Sequence, residues 1–180
     1  MPRRSDRILG LDPGFARTGF AVLDVHGRNP SVIVYGCIET PSRDPYAERL
    51  LQLERRVAEL LDRYHPTAAA LEKLFFCKNV KTAIAVGQAR GVLLLTLARR
   101  GLTPIELTPQ EVKMAATGYG SAKKHQVQRM MQLVLRLPHP PKPDDAADAL
   151  AIAITAAQYR RLTTHVAAVS PAGKKRRSTP

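Results

Sequence analysis

A chain of 180 residues and 19.8 kDa has the size of one domain, and 44% apolar with 24% charged residues supplies enough core to fold without disulfides or a structural metal. Wholesale disorder is excluded on the same composition. Twenty-eight Lys and Arg against 15 Asp and Glu leave +13, which favours a polyanionic partner, either nucleic acid or an anionic membrane surface.

The charge is uneven. Residues 1–7 and 149–180 hold nine basic residues and one acid, so residues 8–148 carry 19 basic against 14 acidic, or +5. Cys37 and Cys77 stand forty residues apart in neither a metal nor a redox spacing, which fits a reducing cytoplasm. After the basic start MPRRSDR only Ile8 to Leu11 precede Asp12, too short for a signal-peptide core. The longest apolar run, Gly91 to Ala98, cannot span a bilayer.

In chain order, Ile8 to Asp12, Gly19 to Asp24 and Ser31 to Glu39 are short runs of branched and aromatic residues divided by the turn formers PGFAR and HGRNP. They predict an antiparallel three-strand meander. Leu50, Leu53, Val57, Leu60, Leu61 and Tyr64 recur at three- and four-residue steps between Pro45 and Pro66, which predicts an amphipathic helix. Thr67 to Leu74 reads as a strand, and Val80 to Arg100 as a buried helix ending at Gly101. Thr103 to Leu107 is a fifth strand, with Pro109 opening a short helix through Ala116. Ser121 is the expected N-cap of a helix carrying Val127, Met130, Met131, Val134 and Leu137, which the proline-rich PHPPKP ends. Asp144 to Arg161 is helical and apolar almost all round, hence deeply packed. The predicted fold is α/β, a mixed five-stranded sheet flanked by helices over residues 1–161. Residues 162–180, with Lys174, Lys175, Arg176 and Arg177, are expected to form a disordered basic tail.

Several carboxylates sit where charge is costly. Asp12 closes the apolar run LGLD, and Glu72 interrupts the strand pattern AAALEKL; each needs a partner or a cation. For Asp12 the ordinary alternative is an Asx turn with Pro13 and Gly14; for Glu72 it is an ion pair. Asp144 and Asp145 suit a helix N-terminus. Asp148 does not, since it lies a turn inside an Ala, Leu and Ile helix, three residues after Asp145 and on the same face. Clustered acids repel unless a cation holds them, and hard oxygen ligands suit Mg²⁺ or Mn²⁺.

LGLDPGFARTG, ALEKLFFCKN, GQARGV, GSAKKHQVQ and DDAADALAIAIT, in this order over residues 8 to 158, resemble the successive motifs of the RuvC family of Holliday junction resolvases. The resemblance implies a ribonuclease H-like fold, a homodimer, and a structure-selective endonuclease that resolves four-way junction DNA by paired symmetric nicks in homologous recombination and repair. It implies a site of four acids, Asp12, Glu72, Asp145 and Asp148, with two divalent ions, Mg²⁺ or Mn²⁺, flanking the scissile phosphate, one activating water and the other steadying the leaving 3′ oxygen. It further implies a branch-migration helicase of the RuvA and RuvB type as partner. Asp144 departs from the common pattern by placing a third acid beside the pair; the DAAD spacing favours Asp145.

For DNA contacts, two adjacent phenylalanines in a loop with Lys73 and Lys78 cannot easily both face a core, and by resemblance Phe75 stacks on an unpaired base near the crossover. Lys123 and Lys124 oppose the macrodipole in a helix's first turn, a conflict that a bound phosphate would resolve. The resemblance assigns Lys113 and Lys124 to DNA; charge alone speaks for Lys123. Gly87 and Gly91 share one face of the Val80 to Arg100 helix, which is either a central monomer helix or, by resemblance, the dimer interface. His139 in the proline loop is expected to be exposed and not ligating. Two rivals keep the fold: a nuclease acting on RNA, and a DNA-binding protein without chemistry whose acids cap helices and pair with arginines. Convergence of the four carboxylates within metal-ligand reach separates the last from the rest, since scattered acids would favour the binder.

Overall fold

The computed structural model describes residues 6–73 and 80–169. Three antiparallel strands, β1 (Asp6–Asp12), β2 (Arg17–His26) and β3 (Asn29–Glu39), are followed by α1 (Tyr46–Tyr64), β4 (Ala68–Glu72), α2 (Val80–Arg99), β5 (Ile105–Leu107), α3 (Pro109–Thr117), α4 (Lys124–Val134) and α5 (Asp144–Val169). The sheet order is β3-β2-β1-β4-β5, with β1, β4 and β5 mutually parallel. This is the mixed five-stranded sheet expected from the sequence.

Strand alternation divides the core. Leu9, Leu11, Val22, Ala69 and Leu71 face one side, where they bury Leu53, Val57 and Leu61 of α1 and Ala89, Leu93 and Leu97 of α2. Ile8, Ala21, Leu23, Ala68 and Ala70 face the other, against α3, α4 and the Ala- and Ile-rich α5. From Ala149 to Thr155 every residue of α5 is buried, which is why its apolar pattern has no polar stripe. The ends of α1 follow local rules: His65 takes the left-handed conformation at φ 46°, and its N–H donates to the Leu61 carbonyl before Pro66. Helix α3 is closed by a capping box, in which the Thr108 N–H donates to Glu111 and the Glu111 N–H donates to the Thr108 hydroxyl.

Several boundaries depart from expectation: α4 ends at Val134 without reaching Leu137 and the prolines, and β2 begins at Arg17 rather than Gly19. Helix α5 does not stop at Arg161 but continues to Val169, because LTTHVAAV contains neither Gly nor Pro and the first breaker is Pro171. Helix α4 is capped by Lys123 rather than Ser121, its backbone N–H donating to the Gln126 side chain at 2.8 Å. Strand β5 starts at Ile105, since Pro104 has no N–H for the ladder. Phe75 and Lys78 lie outside the described residues, as do residues 170–180.

Candidate active site

The same alternation places the first two acids. Ile8 and Gly10 lead to Asp12 on the α5 side of β1, and Ala68 and Ala70 lead to Glu72 on the α5 side of β4, with Leu11 opposite Leu71 in register. Both carboxylates therefore leave the C-terminal ends of neighbouring parallel strands on one face. Helix α5 brings the other two. A Cβ on Gly19, which pairs with Asp12, would lie 1.9 Å from the Asp145 carbonyl oxygen, and one on Gly10 would lie 2.4 Å from that of Ala149. Glycine at these positions lets the helix backbone rest directly on β1 and β2, and carries Asp145 and Asp148 to the ends of the strands.

The electrostatics register this convergence. Burial first, then Glu72, Asp148 and Asp145, push Asp12 up to about 8, with Lys124 opposing. Burial and then Asp148 push Glu72 up to about 7, against Lys113 and Lys124. Burial raises Asp148 as well; Lys124 and Lys113 oppose, while Asp145 and Asp144 add to the rise. Asp144 does not act on Asp12, and its carboxylate accepts a hydrogen bond from Gln128 of α4 at 2.6 Å. Of the three acids opening α5, Asp145 and Asp148 thus act on Asp12, and Asp148 acts on Glu72 as well.

Of the basic residues singled out in the sequence, Lys113 and Lys124 are brought to the acids, and Lys124 Nζ is 3.9 Å from Asp148. Lys123 is exposed at the cap of α4 and acts on none of them. His139 is exposed as expected. Three contributors were missed. Arg17 Nη2 lies 3.1 Å from Asp145. Arg17, Lys142 and Gln128 line, with Lys124, Asp144 and Asp145, an open cleft beside the acids. Alternation back from Gly19 would have found Arg17 on the α5 face.

Among the described residues no three His, Cys, Asp or Glu side chains are drawn tightly enough to chelate an ion in these rotamers, with Asp145 turned to Arg17 and Asp148 to Lys124. The donor set nevertheless fits a hard divalent cation. Carboxylates from three elements act on one another, and burial with neighbouring acids raises Asp12 and Glu72, so added positive charge favours their ionised forms.

The family model described as Crossover junction endodeoxyribonuclease RuvC matches residues 8–156. The chain belongs to the RuvC family. A curated Crossover junction endodeoxyribonuclease RuvC from Brevibacillus brevis is 51% identical over 154 residues, covering 86% of this chain and 93% of that protein. Two Thermus thermophilus RuvC structures are 35% identical. One covers 88% of this chain and 97% of its own at a TM-score of 0.81; the other, in complex with Holliday junction substrate, covers 88% and 96% at 0.83. RuvC membership makes the chain a nuclease that uses divalent metal. It also bears out the ribonuclease H-like fold expected above. Among the described residues no helix is long and apolar enough to cross a membrane.

Proposed function

We propose that this chain resolves four-way DNA junctions by paired symmetric nicks, with Asp12, Glu72, Asp145 and Asp148 together holding two Mg²⁺ or Mn²⁺ ions. The observation that carries the reading is the convergence of four carboxylates, two strongly raised, at the ends of β1 and β4 in a RuvC-family chain. Bound there, the ions would supply an activated water and stabilise the leaving oxygen. Asp12 is the central ligand by resemblance to the family, and its position among three other acids supports that reading. Lys113 and Lys124 hold DNA phosphates over the quartet, and Phe75 and Lys78 serve the crossover strand, with Lys123 as an outer phosphate contact.

Two nicks related by a two-fold axis call for two sites, which a C₂ homodimer provides. Helix α2 suits the interface: Ile84, Gln88, Gly91 and Leu95 form one exposed stripe, with Ile84 57% and Leu95 52% accessible and open space at Gly91. A branch-migration helicase of the RuvA and RuvB type is the proposed partner, in the cytoplasm.

The test is a cleavage assay on a synthetic four-way junction, a matched linear duplex and an RNA hairpin, in EDTA and with Mg²⁺ or Mn²⁺. Paired nicks confined to the junction and dependent on metal are expected. Equal cutting of the RNA hairpin, or junction binding without metal-dependent cutting, would overturn the reading.

A further inference from the structure

Arg17 opens β2 on the α5 face, the face shared by Gly19, Ala21 and Leu23. Its Nη2 is 3.1 Å from Asp145, and its Nε is 3.7 Å from Glu39. In this arrangement Asp145 is turned to the guanidinium and no chelating trio forms among the described acids. For Asp145 to share an ion with Asp12 it must turn from Arg17. The guanidinium then has somewhere to go, because Arg17 also lines the open cleft with Lys124 and Lys142. A planar cation released into that cleft, which Asp144, Asp145 and Gln128 also line, suits a phosphodiester, which it can grip with two donors.

We propose that Arg17 is a displaceable counter-cation of the carboxylate quartet, holding Asp145 in the metal-free protein and yielding it when a divalent ion enters. The inference rests on the reading of Asp145 as a metal ligand. Arg17 is thereby a positioning residue: it pairs with Asp145 before the metal arrives, and the ion must compete with it for that carboxylate. Glu39, 71% exposed, draws the same guanidinium the other way.

The experiment is calorimetric titration of the full-length chain with MnCl₂, without DNA, for wild type, R17Q, R17K, E39Q and D145N, together with melting of each in EDTA. Removing a half-exposed competing ion pair should tighten Mn²⁺ binding in R17Q about three- to fivefold, with R17K in between. E39Q, which removes the charge of one partner and leaves Arg17 to Asp145 and the Cys37 thiol, should bind Mn²⁺ more weakly than wild type. R17Q should melt lower than wild type in EDTA. A role in folding alone would lower melting without tightening the metal. If R17Q binds Mn²⁺ no tighter than wild type while D145N binds more weakly, the counter-cation inference fails and the quartet stands. If D145N binds Mn²⁺ as tightly as wild type, the assignment of Asp145 itself falls.

Discussion

Removing metal should make the protein less stable as pH rises, the reverse of ordinary acid denaturation. Asp12 titrates near 8 in the folded chain against an ordinary 3.8, and Glu72 near 7 against 4.5. A folded-state value above the unfolded one means the native state binds more protons, so the stabilisation is complete below the unfolded value and lost as pH climbs through the folded one. The window is pH 5 to 8, above both unfolded values. Burial is the first cause of both rises and Asp148 acts on both groups, so the two are not added. Asp12 alone crosses about three units of that window, or on the order of 4 kcal/mol. For a chain of this size, that corresponds to a fall in Tm of roughly 10 °C. Carboxylates that are stabilised as ions, such as Asp24 beside Arg7, exert their slope at lower pH and do not mask it. The assay is thermal melting in EDTA from pH 5 to 8.5, repeated with MnCl₂ and with Asp12→Asn. Metal should restore most of the loss at pH 8 and little at pH 5, and Asp12→Asn should flatten the metal-free slope. A metal-free Tm that holds or rises from pH 5 to 8, or an equal slope in Asp12→Asn, would refute the quartet's electrostatics.

Asp12→Asn, Glu72→Gln, Asp145→Asn and Asp148→Asn should each lower junction cleavage by roughly 100-fold or more, since even outer partners of metal ligands cost 10- to 100-fold. Gel-shift affinity for the junction should persist, and Asp144→Asn should remain active. Gly19→Ala would drive a methyl into the Asp145 carbonyl; melting should show a loss of about 1–3 kcal/mol, and nicking should fall further as α5 is lifted from the strands. Lys124→Gln should weaken junction binding and reduce the slope of log affinity against log salt by about one, read by fluorescence anisotropy. Truncation after Val169 removes Lys174, Lys175, Arg176 and Arg177; affinity for junction and duplex should fall alike, with cleavage at saturating DNA unchanged.

Legibility differed by element for identifiable reasons. The strands and α1 could be read because alternation and the Leu53, Val57, Leu61 stripe are local patterns, and the structure buries those residues. The continuation of α5 past Arg161 was hidden by averaging: the Ser, Pro, Lys and Arg residues after Val169 coloured the whole of 162–180, whereas LTTHVAAV is mostly apolar and holds neither Gly nor Pro. Ser121 was a reasonable N-cap by residue type, but the Lys123 N–H found its partner three residues on, in Gln126. Gly10 and Gly19 carried no local signal. Their need for hydrogen in place of a side chain exists only once α5 lies across them.

The four acids and Arg17 differ in how visible they are in the sequence. Asp12, Glu72 and Asp148 each violate a local rule, a charge at an apolar strand end, inside a buried strand or on an apolar helix. Such violations persist where a site needs them and the surrounding structure offsets their cost. Asp145, acceptable at a helix start, was drawn in by its spacing from Asp148. Arg17 violates nothing, because a half-exposed arginine at the start of a strand is ordinary. Its partner is 128 residues away in sequence, so the ion pair becomes visible only when the helix that carries Asp145 is laid on the strand that carries Gly19. Residues that offend local chemistry announce a site, while residues that neutralise the offence are locally unremarkable and must be found in the fold.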